Sequence, residues 1–291
     1  MGEFYALLCT VIWSFAVILL QRATENASPV ALNLFRSSVS VPLLFLTLAV
    51  TGTPLLREAP VSDYVILIAS GVLGIAVADT LFHKALQLAG AGVNAIVSTA
   101  YSPLVALMAF LMIDERLAPL DLVGMLLILS SLLLAATLQP SGSRTQTHLW
   151  KGIGVGLAEM VFLAFSIVLA KPVLNHSPVL WATTVRQTGA FAALILLTLA
   201  SPGRRRTLAL YRPSPHWRFM VPGAALGSYL SLIFWIAGMK YTQASIAAML
   251  NQTSTIMILI LAVIFLGEPF TRRKAVAAGF AVVGVLLITL F

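Results

Sequence analysis

The chain has 291 residues, of which 59% are hydrophobic and 10% charged, with a mean hydropathy of +0.98 and a formal net charge of +8. A soluble domain carries about a quarter charged residues, so most of this chain belongs in lipid, and an ordinary soluble enzyme is excluded. The basic residues gather between apolar stretches, where they set membrane orientation rather than bind nucleic acid.

Apolar stretches bounded by charge, proline or glycine predict an all-α integral membrane protein. Spans are expected at about 4–20, 30–50, 63–83, 91–113 and 119–138, then at about 151–171, 179–200, 217–239, 244–266 and 274–291. At roughly 20 residues each, ten spans leave no room for a soluble domain. The first has no basic stretch before it and no small-residue cleavage site after it, so it is expected to stay rather than be removed as a signal peptide. It carries Cys9, which reads as a lipid-facing or packing thiol. One cysteine excludes a disulfide framework and a cysteine-built metal site. Trp13, halfway along, is a large ring that packs or shapes an apolar pocket.

Ionisable groups inside a span are costly and mark a function or an internal pair. Arg36 on the second span lies roughly 10 Å from one face, and Asp79 on the third roughly 6 Å from the same face, so the two can meet. They read equally as a structural pair or as substrate-binding and gating groups. His83 follows Asp79 by four residues and shares its helix face, where the two could hold a proton near neutral pH. Lys84 beside it favours a histidine at the membrane edge instead. No third metal ligand accompanies the two. On the fourth span Asn94, Ser98, Tyr101 and Ser102 fall on one face, and Pro103 just after them frees a carbonyl and permits a bend.

In the second half Glu159 lies roughly 12 Å from one face and Arg186 roughly 10 to 12 Å from the other, which brings both near the midplane and allows a salt bridge. A lone acid at this depth suits proton coupling. Tyr229 and Trp235 on the eighth span are candidate pocket rings. On the ninth, Asn251, Gln252, Ser254 and Thr255 form a polar patch like that on the fourth. The two patches line a shared interior or hydrogen-bond the helices to each other. Gly152, Gly154 and Gly156 have no strand before them and read as close helix packing, not a nucleotide loop. No phosphate-binding loop, zinc-binding HExxH or nucleophile elbow is present, so no cofactor, no metal and no enzymatic activity are expected.

The two halves resemble each other. "NASPVALNLFR" (Asn26 to Arg36) answers "NHSPVLWATTVR" (Asn175 to Arg186) with one residue inserted, and Met112 to Leu129 answers Ile264 to Val283, aligning Glu115 with Glu268. The same alignment sets Ser98 opposite Asn251 and Ser102 opposite Thr255. This gives repeats at residues 1–138 and 151–291 joined by a linker at 139–150. Since five is odd, the second repeat enters from the opposite face, an inverted arrangement that favours transport over catalysis. Let side A hold the amino terminus. Side A then receives Arg57, Arg116, Lys171 and Lys240, and side B twelve basic residues, among them Arg204, Arg205, Arg206, Arg272, Arg273 and Lys274. That bias places side B in the cytoplasm and both termini outside.

"WSFAVILLQRA" from Trp13, "LNLFR" ending at Arg36, and the run from Lys84 to Leu129, with a weaker second copy, resemble the EamA family of the drug/metabolite transporter superfamily. The strongest piece runs from Ala85 through Tyr101, Ser102 and Pro103 to Glu115 and Gly124. The resemblance covers essentially the whole chain. It implies a ten-helix carrier, built of two inverted five-helix halves, that exports or exchanges small metabolites, often amino acids, by alternating access through a central cavity. For several bacterial relatives it implies both termini in the cytoplasm, against the charge bias. The second copy has Phe162 in place of Trp13 and Ile256 in place of Pro103, which implies an asymmetric cavity. The expected protein is a monomeric transporter in a bacterial-type inner membrane. Substrate would meet Trp13, Arg36, Asn94, Ser98, Tyr101, Tyr229, Trp235, Asn251 and Gln252, while Asp79, His83, Glu159 and Arg186 couple protons or gate. A flippase for an amphipathic or lipid-linked substrate is the alternative, since small multidrug-like relatives move lipid-linked sugars.

Overall fold

The computed structural model describes residues 1–24, 27–113, 145–242 and 244–290, together with positions 123, 124, 126, 127, 130, 131 and 134. Nine long helices and no strand occur among them. They are α1 (Gly2–Thr24), α2 (Pro29–Thr51), α3 (Val61–Ala89), α4 (Ala91–Ile113), α5 (Gln146–His176), α6 (Val179–Ala200), α7 (Trp217–Tyr241), α8 (Ala244–Leu266) and α9 (Arg272–Leu290). The expected fifth span at 119–138, the first half of the linker, and Glu115 lie outside the described residues, apart from the seven isolated positions, which are helical.

Helices α1 to α7 are each long and apolar enough to cross a membrane, and Leu250–Leu266 within α8 is also apolar. Their outward faces carry large apolar side chains such as Leu46 (60% exposed), Leu196 (68%) and Ile264 (65%). Such a surface is a liability in water and the normal one in lipid, where a helix also satisfies its own backbone.

Local chemistry sets the helix ends. Ser28 accepts the Ala31 amide at 3.2 Å, Pro29 starts α2, and Gly52 ends it at φ +66°, a conformation that costs glycine little. Several helices run longer than expected, α5 and α3 the most. α5 starts at Gln146, inside the expected linker, with the Thr145 hydroxyl capping the His148 amide. α3 continues to Ala89, so His83 lies inside the helix, fully buried against the protein.

The repeat is visible in the burial pattern. Along α1 and α2 the buried and exposed positions recur 150 residues on in α5 and α6, so Arg36 corresponds to Arg186 without an insertion. The same register sets Leu163, not Phe162, opposite Trp13. In α3 and α7 a wide π-helical turn interrupts the helix at Val72–Val77 and Ala225–Leu230, which fixes an offset of 153.

Contacts at the helix ends show the inversion. Gln87 near the end of α3 donates to the Ala27 carbonyl after α1 at 2.6 Å, which puts both ends on side B. Gly152 at the start of α5 packs on Leu88 and Ala89, so α5 begins where α1 finishes and runs in the opposite direction. Gly2 at the start of α1 meets Tyr241 and Thr242 at the end of α7 in the corresponding contact on side A. Gly156 likewise faces Val97 and Asn94, while Gly154 has nothing within 4 Å, so two of the three glycines make the close approaches expected of them. The halves interlock. α1 packs on α7 and α8, α5 on α3 and α4, and α2 lies against α6.

Side chains tie these ends together. On side B the Glu268 carboxylate accepts the Ala91 and Gly92 amides at 2.9 and 3.1 Å and the Lys274 ammonium at 2.8 Å, all buried. A second-half acid thus satisfies orphan amides at the positive end of α4 in the first half. On side A, Lys171 donates to the Met239 carbonyl, and Lys240 to the Ser177 carbonyl at 2.6 Å.

Candidate functional site

Where the halves meet, one cavity of about 960 Å³, its opening included, is lined by residues of α1 to α8. Both π-helical turns border it, through Gly74 and Ile75 in one half and Gly227 and Ser228 in the other. A π turn disrupts the helical hydrogen-bond ladder. Asn33 meets the carbonyls released in α3, donating to Ile75 at 2.7 Å, to Ala76 at 3.3 Å and to the Thr80 hydroxyl at 3.0 Å. The glycines matter for space: a Cβ on Gly74 would collide with Ser166, and one on Gly227 would press on Ala16.

The cavity wall holds charges of both signs. Arg36 lies 3.4 Å from Asp79, donates to Ser228 at 2.8 Å and to His83 Nε2 at 2.7 Å, and faces the Trp13 ring at 6.0 Å. An arginine only donates, so His83 accepts at Nε2 and its ring proton sits on Nδ1. Arg186 is built differently. It donates to the Ser70 hydroxyl and lies 5.8 Å from the Trp235 ring centre, and its Nε and second terminal nitrogen have no hydrogen-bond partner. The 153-residue offset explains the contrast. The counterparts of Asp79 and His83 in α7 are Leu232 and Ile236, so Arg186 has neither beside it.

Glu159 also lines the cavity, 4% exposed, and its Oε2 has no hydrogen-bond partner. The salt bridge with Arg186 that depth alone allows is not formed: among the described residues the ion pairs are Arg36–Asp79, His176–Asp63 and Lys274–Glu268. Cys9 corresponds to Glu159 in the first half and sits in the cavity wall at 5% exposure, so it does not face lipid.

Of the thirteen residues expected to meet substrate, couple protons or gate, Trp13, Arg36, Asp79, Ser98, Tyr101, Glu159, Arg186, Trp235, Asn251 and Gln252 line this cavity. Three do not. Asn94 is buried beside Gly156, His83 stands behind Arg36, and the Tyr229 hydroxyl pairs with Thr47 at 2.7 Å. The polar patches do both jobs considered for them. Ser98, Asn251, Gln252 and Ser254 line the cavity, while Gln252 donates to the Ser98 carbonyl at 3.4 Å and Thr255 to the Ala95 carbonyl at 3.2 Å. Those bonds meet α4 where it tightens to a 3-10 turn at Ser98–Ala100, just before Pro103. Sequence reasoning missed Thr10, Gln187, Ser228 and Ser231, which also line the cavity. Gln187 had a signal, because it directly follows Arg186.

The EamA-like transporter family matches residues 1–137 and 150–290. A solved crystal structure of a protein is similar to the chain at 18% identity, with a TM-score of 0.73, and the match covers 99% of this chain and 96% of that one. At that identity the likeness shows the fold. No curated protein matches the chain.

Proposed function

The chain belongs to the EamA-like transporter family, and from that premise we propose that it is a secondary active transporter of small polar metabolites, amino acids foremost. The observation that carries the reading is the cavity between the two halves, whose wall combines Arg36, Asp79, Glu159 and Arg186 with the rings of Trp13, Phe82, Tyr101 and Trp235. Charges of both signs facing one cavity suit a polar passenger, and the rings suit its apolar part.

The proposed protein is a ten-span monomer of a bacterial-type inner membrane, with halves at 1–138 and 151–291, side B in the cytoplasm and the termini outside. Inverted halves meeting at one mid-membrane site support alternating access. Glu159 is the proposed proton carrier, and exchange of proton for substrate drives export. Proteoliposomes loaded with the twenty common amino acids test the reading, with efflux measured by mass spectrometry with and without a pH gradient. Selective, gradient-dependent loss is expected. Loss no faster than from protein-free vesicles contradicts the reading and favours an amphipathic, lipid-linked substrate moved as a flippase would.

A further inference from the structure

We infer that Arg186 is the anchor for a carboxylate on the transported molecule, held in the cavity beside the Trp235 ring. The inference deepens the transport reading and rests on it. It begins from the broken symmetry between the halves. Arg36 and Arg186 are counterparts, but Arg36 has Asp79 at 3.4 Å, whereas the corresponding position beside Arg186 is Leu232.

Arg186 is 1% exposed, yet two of its three guanidinium nitrogens have no hydrogen-bond partner. A buried cation without a paired anion costs several kcal/mol, and polar groups this deep are normally satisfied. Arg186 lines the cavity beside the π turn that holds Gly74, so these nitrogens are within reach of a molecule bound there. Two neighbouring N–H groups in a plane fit the two oxygens of one carboxylate bidentately.

Glu159 completes the argument. It lines the same cavity with its own unpartnered oxygen. A passenger with a carboxylate for Arg186 and an ammonium for Glu159 satisfies both, and a proton on Glu159 competes with that ammonium. An α-amino acid carries both groups, and the carboxylate is the required one.

The test compares three probes on purified full-length protein in detergent: L-leucine, L-leucinamide, which lacks the carboxylate, and 4-methylpentanoate, which lacks the amine. Stabilisation against heat is titrated for the wild type, Arg186→Lys and Arg186→Gln, after checking that each variant elutes as the wild type does. Leucine and 4-methylpentanoate should stabilise the wild type and leucinamide should not. Apparent affinity for both acids should fall at least tenfold in Arg186→Gln, with partial retention in Arg186→Lys. Equal stabilisation by leucinamide, none by either acid, or unchanged affinity in Arg186→Gln overturns the assignment. Carboxylate binding that depends on Arg186 without efflux of any amino acid from vesicles would instead overturn the transport reading and leave the anchor in place.

Discussion

The Gln187 amide donates to the hydroxyl of Ser37 at 3.2 Å, and the two residues are each other's counterparts in the two halves. Equivalent residues of a repeat touch only beside the axis that relates them, so the pseudo-two-fold axis passes between α2 and α6. The same amide donates to Ser40 at 2.8 Å. Replacing Gln187 by Ala removes both bonds at the centre of the interface. At about 0.6 kcal/mol per interhelical hydrogen bond in lipid, the cost should be about 1 kcal/mol, read from unfolding in mixed micelles. A change below a few tenths would place the interface elsewhere.

Asp79 compensates Arg36. Asp79→Asn leaves the arginine charge buried and should cost on the order of 3 kcal/mol, while Arg36→Gln combined with Asp79→Asn should recover much of it. Additive losses in this double-mutant cycle would show that the two charges do not depend on each other.

Glu268 carries a structural load that the cavity residues do not. Glu268→Ala removes the acceptor of the Ala91 and Gly92 amides and strands Lys274. A loss of about 2 to 3 kcal/mol is expected, together with faster hydrogen exchange at the start of α4. Unchanged exchange at those amides would contradict the capping role.

Glu159→Gln cannot release a proton. If Glu159 couples transport to the gradient, the variant should lose gradient-driven efflux, retain exchange of one substrate molecule for another, and show flat exchange rates across pH where the wild type varies. Identical pH dependence in variant and wild type would remove Glu159 from the coupling path.

Much of the fold is legible in the sequence because lipid imposes one rule, long apolar helices separated by short polar connections. Arg36, Asp79, Glu159 and Arg186 stood out for the same reason, since charge inside a span is rare enough to notice. Ser228, Ser231 and Thr10 did not, because small hydroxyl residues occur throughout membrane helices and only packing shows which face the cavity. Lys84 suggests an interfacial place for His83, and the sequence could not show that α3 runs on to Ala89 or that the imidazole packs against Arg36. Glu159 and Arg186 share a depth but form no ion pair, and depth carries no information about azimuth. The asymmetry between the two arginines became legible only with the register of the repeat, which burial fixes better than residue identity.

The central claim is that the cavity between the halves opens to each face in turn. A single cysteine at Ser98, in a Cys9→Ala background, tests it with a membrane-impermeant maleimide applied from either face of oriented vesicles. Labelling from both faces, slowed by substrate, is the expected result. Labelling from neither face, or from one face only under every gradient and substrate condition, would contradict it.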